Sequence, residues 1–173
     1  MNKTFLLVVI AMVTFSFSSM AQYVDRTNFK AGLNAGLPVG DAGDVSSFSL
    51  GLDLVYHIGA SELLDLGFAT GFINAFGDTT TFTGGGITIE TEFEDFQFLP
   101  VAVSVRLYPT YDFKLGADAG YAVGINEGNE GGLYLRPIIG YNITGNTELN
   151  VSYVNISNDG SFSIATLGIL FLF

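Results

Sequence analysis

The segment Ser161-Phe-Ser-Ile-Ala-Thr-Leu-Gly-Ile-Leu-Phe-Leu-Phe173 alternates between two faces. One face carries the apolar residues Leu167, Ile169, Phe171 and Phe173. The other face carries Thr166 and Gly168. Residues two apart on a β-strand share a face, so the pattern predicts a strand with one strongly apolar side. Lipid is the natural partner for such a side, and a closed barrel is the only sheet that lipid tolerates. The segment therefore predicts a membrane-spanning β-barrel.

Seven earlier segments repeat this period-two pattern. They are Asn28–Pro38, Ser47–Ile58, Glu62–Phe76, a strand through Leu99–Leu107, Asp112–Ile125, Leu133–Ile143 and Thr147–Ile156. Eight runs of roughly ten residues are typical of a small transmembrane barrel. The predicted fold class is all-β, an eight-stranded antiparallel up-and-down transmembrane β-barrel.

The connections between these strands alternate in length. The short ones run from His57 to Glu62, from Tyr108 to Asp112 and from Ile143 to Thr147. The mostly longer ones are Pro38–Ser46, Asn74–Phe96, Asn126–Gly132 and Ser157–Ser161. Short periplasmic turns and long outer loops are typical of outer-membrane barrels, and an even number of strands returns both termini to the periplasm. The second long connection contains a predicted hairpin of its own, Thr79–Phe93, with three glycines at its centre.

Two features depart from the simple pattern. Pro100 and Pro137 fall inside predicted strands, where the missing N–H removes a ladder hydrogen bond, so we expect β-bulges there. Leu170 and Leu172 are apolar on the face of the last strand that should point inward. They indicate either a hydrophobic plug in the lumen or packing against something other than lipid.

The first residues predict export. Lys3 precedes an apolar run from Phe5 to Phe17, and small residues end at Ala21, which is typical of a cleaved secretory signal peptide. We therefore expect a signal peptide at 1–21 and one barrel domain at 22–173. A membrane-anchoring helix fits less well because the apolar run is short.

Composition narrows the function classes. The mean hydropathy is +0.44 with only 13% charged residues, and alternating strands with one lipid-facing side account for both values. The chain has no cysteine, so disulfides contribute nothing. Removing Lys3 with the signal peptide changes the formal charge from −11 to −12. Nucleic acid is excluded as a partner because phosphate binding needs a basic face. No cofactor site and no metal site is predicted.

Nine ionisable residues of the predicted strands fall on the face opposite the apolar one. The predicted lumen charge network comprises Lys30, Asp53, His57, Asp65, Arg106, Lys114, Asp118, Arg136 and Glu148. An eight-stranded barrel is just wide enough for side chains to fill it. We favour ion pairs that neutralise one another and plug the lumen, over a selective path or a ligand site.

The predicted outer loops are acidic. They hold Asp41, Asp44, Asp78, Glu90, Glu92, Glu94, Asp95, Glu127, Glu130 and Asp159. Simple solvation of exposed loops accounts for these residues. The alternative is a surface for divalent cations or for a basic partner.

Three segments resemble the outer-membrane β-barrel protein family, in its PorT-like and OmpA/OmpX-like small barrels. They are Phe29-Lys-Ala-Gly-Leu-Asn-Ala-Gly-Leu37, Phe98-Leu-Pro-Val-Ala-Val-Ser-Val-Arg-Leu-Tyr108 and Leu115-Gly-Ala-Asp-Ala-Gly-Tyr-Ala-Val-Gly124. The last strand also resembles the C-terminal insertion signal of bacterial outer-membrane barrels, at Thr166, Gly168, Phe171 and Phe173. The resemblance implies a monomer in the outer membrane of a Gram-negative-type cell, inserted by the barrel-assembly machinery.

These observations favour a non-enzymatic surface barrel that is structural or contacts a partner through the Thr79–Phe93 hairpin. No catalytic residue is predicted, because no Ser/His/acid group can be assembled near the outer leaflet around the single histidine, His57. Three alternatives stay open: a small channel, a lipid-modifying barrel enzyme, and a soluble lipocalin-like carrier with its apolar residues inside.

Overall fold

The computed structural model describes residues 28–84 and 87–173, with the backbone alone for residues 28, 80–84, 87–90 and 92. The predicted signal peptide and the centre of the hairpin turn lie outside the described residues. The strands are β1 (Asn28–Val39), β2 (Ser46–Gly59), β3 (Leu64–Gly77), β4 (Thr79–Gly84), β5 (Ile87–Glu92), β6 (Phe96–Leu107), β7 (Phe113–Gly124), β8 (Gly132–Thr144), β9 (Thr147–Ser157) and β10 (Ser161–Leu172). A short 3₁₀ helix, Gly40–Asp44, follows β1.

Eight of these strands close into one barrel. Its order is β1-β10-β9-β8-β7-β6-β3-β2, and every neighbouring pair is antiparallel. Strands β4 and β5 pair with each other in a separate two-stranded sheet. The predicted eight-stranded antiparallel barrel is confirmed, and closure leaves no unpaired edge in its wall.

The two ends of the barrel differ. The turn end holds the short connections 60–63, 108–112 and 145–146, whereas the loop end holds 40–45, 78–95, 125–131 and 158–160. The β4–β5 hairpin belongs to the loop end. At its base, Phe93 N donates to Asp78 O (3.0 Å), and Asp78 N donates to Val45 O (3.0 Å), just before β2.

The outside of the barrel is apolar. Exposed aliphatic and aromatic side chains come from all eight barrel strands, with Leu33, Phe68, Leu133 and Leu167 each at least 59% exposed. Aromatic residues form cross-strand pairs near the turn end, where Phe29 pairs with Tyr56 and Phe113 with Tyr141. In the eight barrel strands, no Asp, Glu, Lys, Arg or His faces outward; all of them are buried.

The expected bulges at the two prolines are absent. Pairing of β6 with β7 runs through Pro100, and pairing with β3 resumes beyond it in an unchanged register. Pro137 likewise interrupts only the ladder with β9. An antiparallel residue directs its N–H and C=O to one neighbour, so a proline weakens one ladder and leaves the other intact. Thr70 Oγ1 also donates to the Pro100 carbonyl over 2.8 Å. The register shifts lie at strand ends instead, at Ser46/Phe48 and Asn142/Thr144.

The seam between β1 and β10 is sealed at the turn end. Phe173 N donates to Phe29 O over 2.9 Å, and the two rings lie 6.3 Å apart. Further along the seam, Leu170 is buried in the lumen opposite Gly32, where a Cβ would lie 2.8 Å from Leu170 Cδ2. Of the two explanations for this inward leucine, the structure supports packing inside the lumen.

Candidate functional site

The lumen contains every residue of the predicted charge network. Their exposed fractions are all 5% or less, and the set is Lys30, Asp53, His57, Asp65, Arg106, Lys114, Asp118, Arg136 and Glu148. Four cations face four carboxylates, with one histidine beside them. The excess negative charge of the chain therefore lies outside the lumen.

One ion pair crosses the whole lumen. Arg136 on β8 donates to Asp53 on β2 through Nη1 (2.7 Å) and Nη2 (2.9 Å), and these strands are four apart in the eight-strand ring. Asn34 Nδ2 donates to Asp53 over 2.9 Å, and Arg136 Nε donates to Ser152 Oγ over 2.8 Å. A bidentate, fully buried guanidinium–carboxylate pair is among the strongest polar contacts in proteins. It closes the middle of the lumen.

A second group closes the turn end. Glu148 accepts from Lys114 and lies 4.0 Å from Lys30 Nζ. Tyr108, only 4% exposed, accepts from Lys30 Nζ over 3.5 Å through its hydroxyl, and its ring centroid lies 5.7 Å from Lys114 Nζ. One carboxylate and one aromatic ring therefore hold both lysines. Tyr108 follows the last residue of β6 and was not among the predicted lumen residues.

A third group brings a serine, a histidine and an aspartate together. Ser104 Oγ donates to Asp118 Oδ1 (2.7 Å), and His57 Nε2 lies 2.8 Å from Ser104 Oγ. Arg106 binds both oxygens of Asp118, at 2.7 and 3.3 Å. Since the single hydroxyl proton of Ser104 goes to the carboxylate, His57 must donate through Nε2 and cannot serve as the base for Ser104. The group is buried within the lumen, and Asp65 lies opposite Arg106 on β3.

The sequence-based prediction was that no Ser/His/acid group forms near the outer leaflet. The group described above lies inside the lumen, so it does not bear on that prediction. The structure adds that such a trio does form in the lumen, in a hydrogen-bond order unsuited to acyl transfer, because a catalytic serine must give its proton to histidine. The signal for it was present in the sequence. Ser104 lies two residues before Arg106, on the same face of the strand.

Glycines opposite large residues make room for these groups. On six successive strands around the barrel, the cross-strand partners are alternately large and small. In order, they are Lys114, Gly140, Asn150, Gly168, Asn34 and Gly51. A Cβ at Gly140 would lie 2.6 Å from Glu148 Oε1, and one at Gly168 would lie 2.7 Å from Asn150 Oδ1. Alternation of large and small residues is how small barrels fill their interiors.

Apolar side chains fill the lumen toward the loop end. We call this group the upper core: Ala69, Ile73, Phe98, Ala102, Ala122, Tyr134, Val154, Ile156 and Ile164, with Phe96 and Phe162 packed against it. Val55 belongs to the same apolar cluster but lies nearer the turn end, opposite Lys30. The rings of Phe96 and Phe98 lie 5.0 and 5.5 Å from the ring of Phe162. The predicted filling of the lumen by ion pairs did not include these apolar residues.

The loop end carries ten acidic residues and no lysine or arginine. Its loops are braced by amide side chains. Asn129 Nδ2 donates to Gln97 O (2.8 Å), and Asn126 Nδ2 donates to Asp95 O (2.7 Å). Asn74 Nδ2 in turn donates to Asp95 Oδ2 over 3.0 Å. The acidic surface is thus held on an ordered frame.

Within the part of the chain that the structure describes, no three His, Asp or Glu side chains are grouped as metal ligands. Over the same residues, no helix is long and apolar enough to cross a membrane.

Comparison with solved structures shows that the fold is similar to that of small transmembrane β-barrels. No family model matches the chain, and no curated protein matches it in sequence. A de novo designed transmembrane β-barrel is similar at a TM-score of 0.55 and 15% identity, covering 89% of this chain and 100% of that one. Ail, the attachment invasion locus protein of Yersinia pestis, is similar at a TM-score of 0.54 and 16% identity, covering 87% and 100%. Its structure in a phospholipid bilayer nanodisc gives 0.51 and 14%, covering 84% and 99%. The resemblance to small eight-stranded membrane barrels holds for the fold, whereas the PorT-like or OmpA/OmpX-like family stays a prediction.

Proposed function

We propose that this chain is a non-enzymatic, integral outer-membrane barrel that acts through the surface of its loop end. One observation carries the proposal: the lumen is filled from the turn end to the upper core, so the loops are the surface left to interact. A structural role in the membrane and contact with a partner are both consistent with such a barrel.

The exterior supports lipid as the barrel's surroundings. All Asp, Glu, Lys, Arg and His residues of the barrel strands are buried, and large apolar residues are exposed. Soluble monomers rarely expose an apolar patch of this extent. A soluble lipocalin-like carrier needs the reverse arrangement, with an apolar interior open to a ligand.

Transport is the second candidate class, and the lumen argues against it. The Arg136–Asp53 pair joins opposite strands, and most of the upper core is buried between it and the loop end. A lipid-modifying enzyme is also disfavoured, because the buried Ser104–His57–Asp118 group has no solvent access and the wrong proton order.

We further propose that both termini are periplasmic, since the short turns lie at that end. Export then depends on the signal peptide at 1–21, and insertion depends on the barrel-assembly machinery acting on the signal at Thr166, Gly168, Phe171 and Phe173. The barrel functions as a monomer, with outer-membrane lipid as its main contact.

Heat-dependent migration tests the membrane barrel directly. We expect protein extracted from the outer-membrane fraction to run at different positions before and after boiling, because a closed barrel stays folded in detergent. Recovery of the protein in the soluble fraction would contradict the proposal. So would stable open-channel steps in planar-bilayer recordings, because the lumen is filled.

The hairpin of β4 and β5 is the proposed contact with a partner. Among the described residues, its strands pair only with each other, from Thr79–Glu92 to Gly84–Ile87. An exposed strand edge can accept a foreign strand by backbone hydrogen bonding. The hairpin belongs to the loop end and shares no ladder with the barrel strands.

Photo-crosslinking on intact cells tests this contact. A crosslinking residue at exposed Thr79 should give a discrete protein adduct, and the same residue at Gly145 in the opposite turn should give none. Deleting Thr79–Thr91 should abolish surface binding while the heat-dependent gel shift is kept. Identical adducts from both positions, or none from Thr79, would contradict a partner at the hairpin.

A further inference from the structure

A cavity of about 320 Å³ opens at the loop end, above the upper core. The 3₁₀ helix forms one wall, and β6, β9 and β10 form the floor. Its size is at the lower end of the range for small-molecule sites. Because the lumen below it is filled, the cavity is closed at its lower end. Its shape is therefore that of a binding site and not that of a channel entrance.

The floor of the cavity is aromatic and aliphatic. Phe96, Phe98 and Phe162 line it together with Ile156. The rings of Phe96 and Phe98 each contact the ring of Phe162, with centroids 5.0 and 5.5 Å apart, and Phe98 is only 3% exposed. A floor that is packed from below is preformed, so a ligand would lose little free energy in ordering it.

The rim of the cavity carries one carboxylate. Among the described residues that line it, Asp41 is the one charged side chain. It lies in the 3₁₀ helix and is exposed. The whole loop end has ten carboxylates and no basic residue to oppose them, so its field draws cations toward the cavity and repels anions. Aromatic rings add to this preference because their faces attract cations.

We propose that this cavity binds a small amphipathic cation, with its apolar body on the phenylalanine floor and its ammonium beside Asp41. The site goes beyond the proposed surface role, because a small cation would bind whether or not the hairpin contacts a protein. No strand or loop needs to move for the cavity to be open in the structure.

Three ligands that share one apolar cage test the site: 1-adamantylammonium, 1-adamantanol and 1-adamantanecarboxylate. Binding is followed by methyl NMR of the full barrel in lipid nanodiscs, with empty nanodiscs as the blank for partition into lipid. We expect saturable shifts at Val45 and Ile156 with the ammonium. The alcohol should bind about tenfold more weakly, which corresponds to roughly 1.4 kcal/mol, and the carboxylate more weakly still. The preference for the ammonium should shrink as salt is raised.

A matched pair of variants separates the site from the general field. Asp41→Asn should remove most of the preference for the ammonium over the alcohol and leave the affinity for the alcohol unchanged. Asp159→Asn removes the same charge beside lining residue Asn158 and should keep most of the preference. Equal affinities for the three ligands, shifts away from the cavity, or equal losses in both variants would overturn the proposal. The heat-dependent gel shift verifies that each variant is folded.

Discussion

Replacing Arg136 with methionine is expected to lower the free energy of unfolding by about 3–5 kcal/mol. The substitution leaves Asp53 buried in the lumen without its bidentate partner, and Ser152 loses the donor at 2.8 Å. An uncompensated buried charge costs far more than the intact pair contributes. We regard this as the largest effect of any single side-chain truncation in the lumen.

Urea titration of the barrel in phospholipid vesicles measures the loss, with folded and unfolded fractions separated by their gel migration. The control is the double variant Asp53→Leu with Arg136→Met, which removes both charges. Since burying two apolar residues avoids the desolvation of two ions, the double variant should recover most of the loss. A single variant as stable as the wild type would show that Asp53 is not isolated by its surroundings.

Replacing Val103 with arginine is expected to destabilise the inserted barrel by about 2–4 kcal/mol. Val103 is 55% exposed on the outer face of β6, near the middle of the strand. If lipid surrounds this face, the guanidinium must enter the hydrocarbon region. The same vesicle titration measures the change.

The control for this second prediction is the same substitution at a position nearer the membrane surface. Ile143 is 50% exposed but lies at the turn end of β8, and Ile143→Arg should cost only about 0–1 kcal/mol because its charge reaches the interface. Equal costs at the two positions would contradict the placement of the membrane around mid-strand. The pair therefore tests the embedding of the barrel independently of fractionation.

Much of the barrel follows from period two in the sequence. Leu33, Phe68 and Leu167 point outward because their strands alternate, and the same alternation carries Lys30, Arg136 and the other charges inward. The strand boundaries also follow, since long loops and short turns separate the apolar runs. Local pattern is sufficient wherever one face meets lipid and the other meets the lumen.

The partners inside the lumen could not be predicted in the same way. Arg136 and Asp53 are 83 positions apart, and their contact depends on which strands end up opposite in the closed ring. Tyr108 lies just beyond a strand, where alternation no longer specifies direction. The prediction of β-bulges at Pro100 and Pro137 was wrong for a related reason. The sequence does not show which neighbouring strand the missing N–H would have faced, so it does not show which ladder loses a hydrogen bond.

The upper core was missed because its members share the inward phase with the charges. Phe98, Ile156 and Ile164 alternate on the same faces as Arg106, Glu148 and Thr166. The prediction that ion pairs alone fill the lumen did not account for these apolar residues. Counting every inward position, polar or not, would have indicated a lumen filled by two kinds of side chain.

The row of glycines facing large residues has a consequence for how this sequence can change over time. A methyl group added at Gly51 would lie 2.5 Å from Asn34 Oδ1, and one at Gly168 would meet Asn150 in the same manner. Neither residue of such a pair can grow unless the other shrinks. Mutation inside this barrel is therefore constrained to coupled exchanges between adjacent strands, while the lipid-facing positions can vary singly among apolar residues.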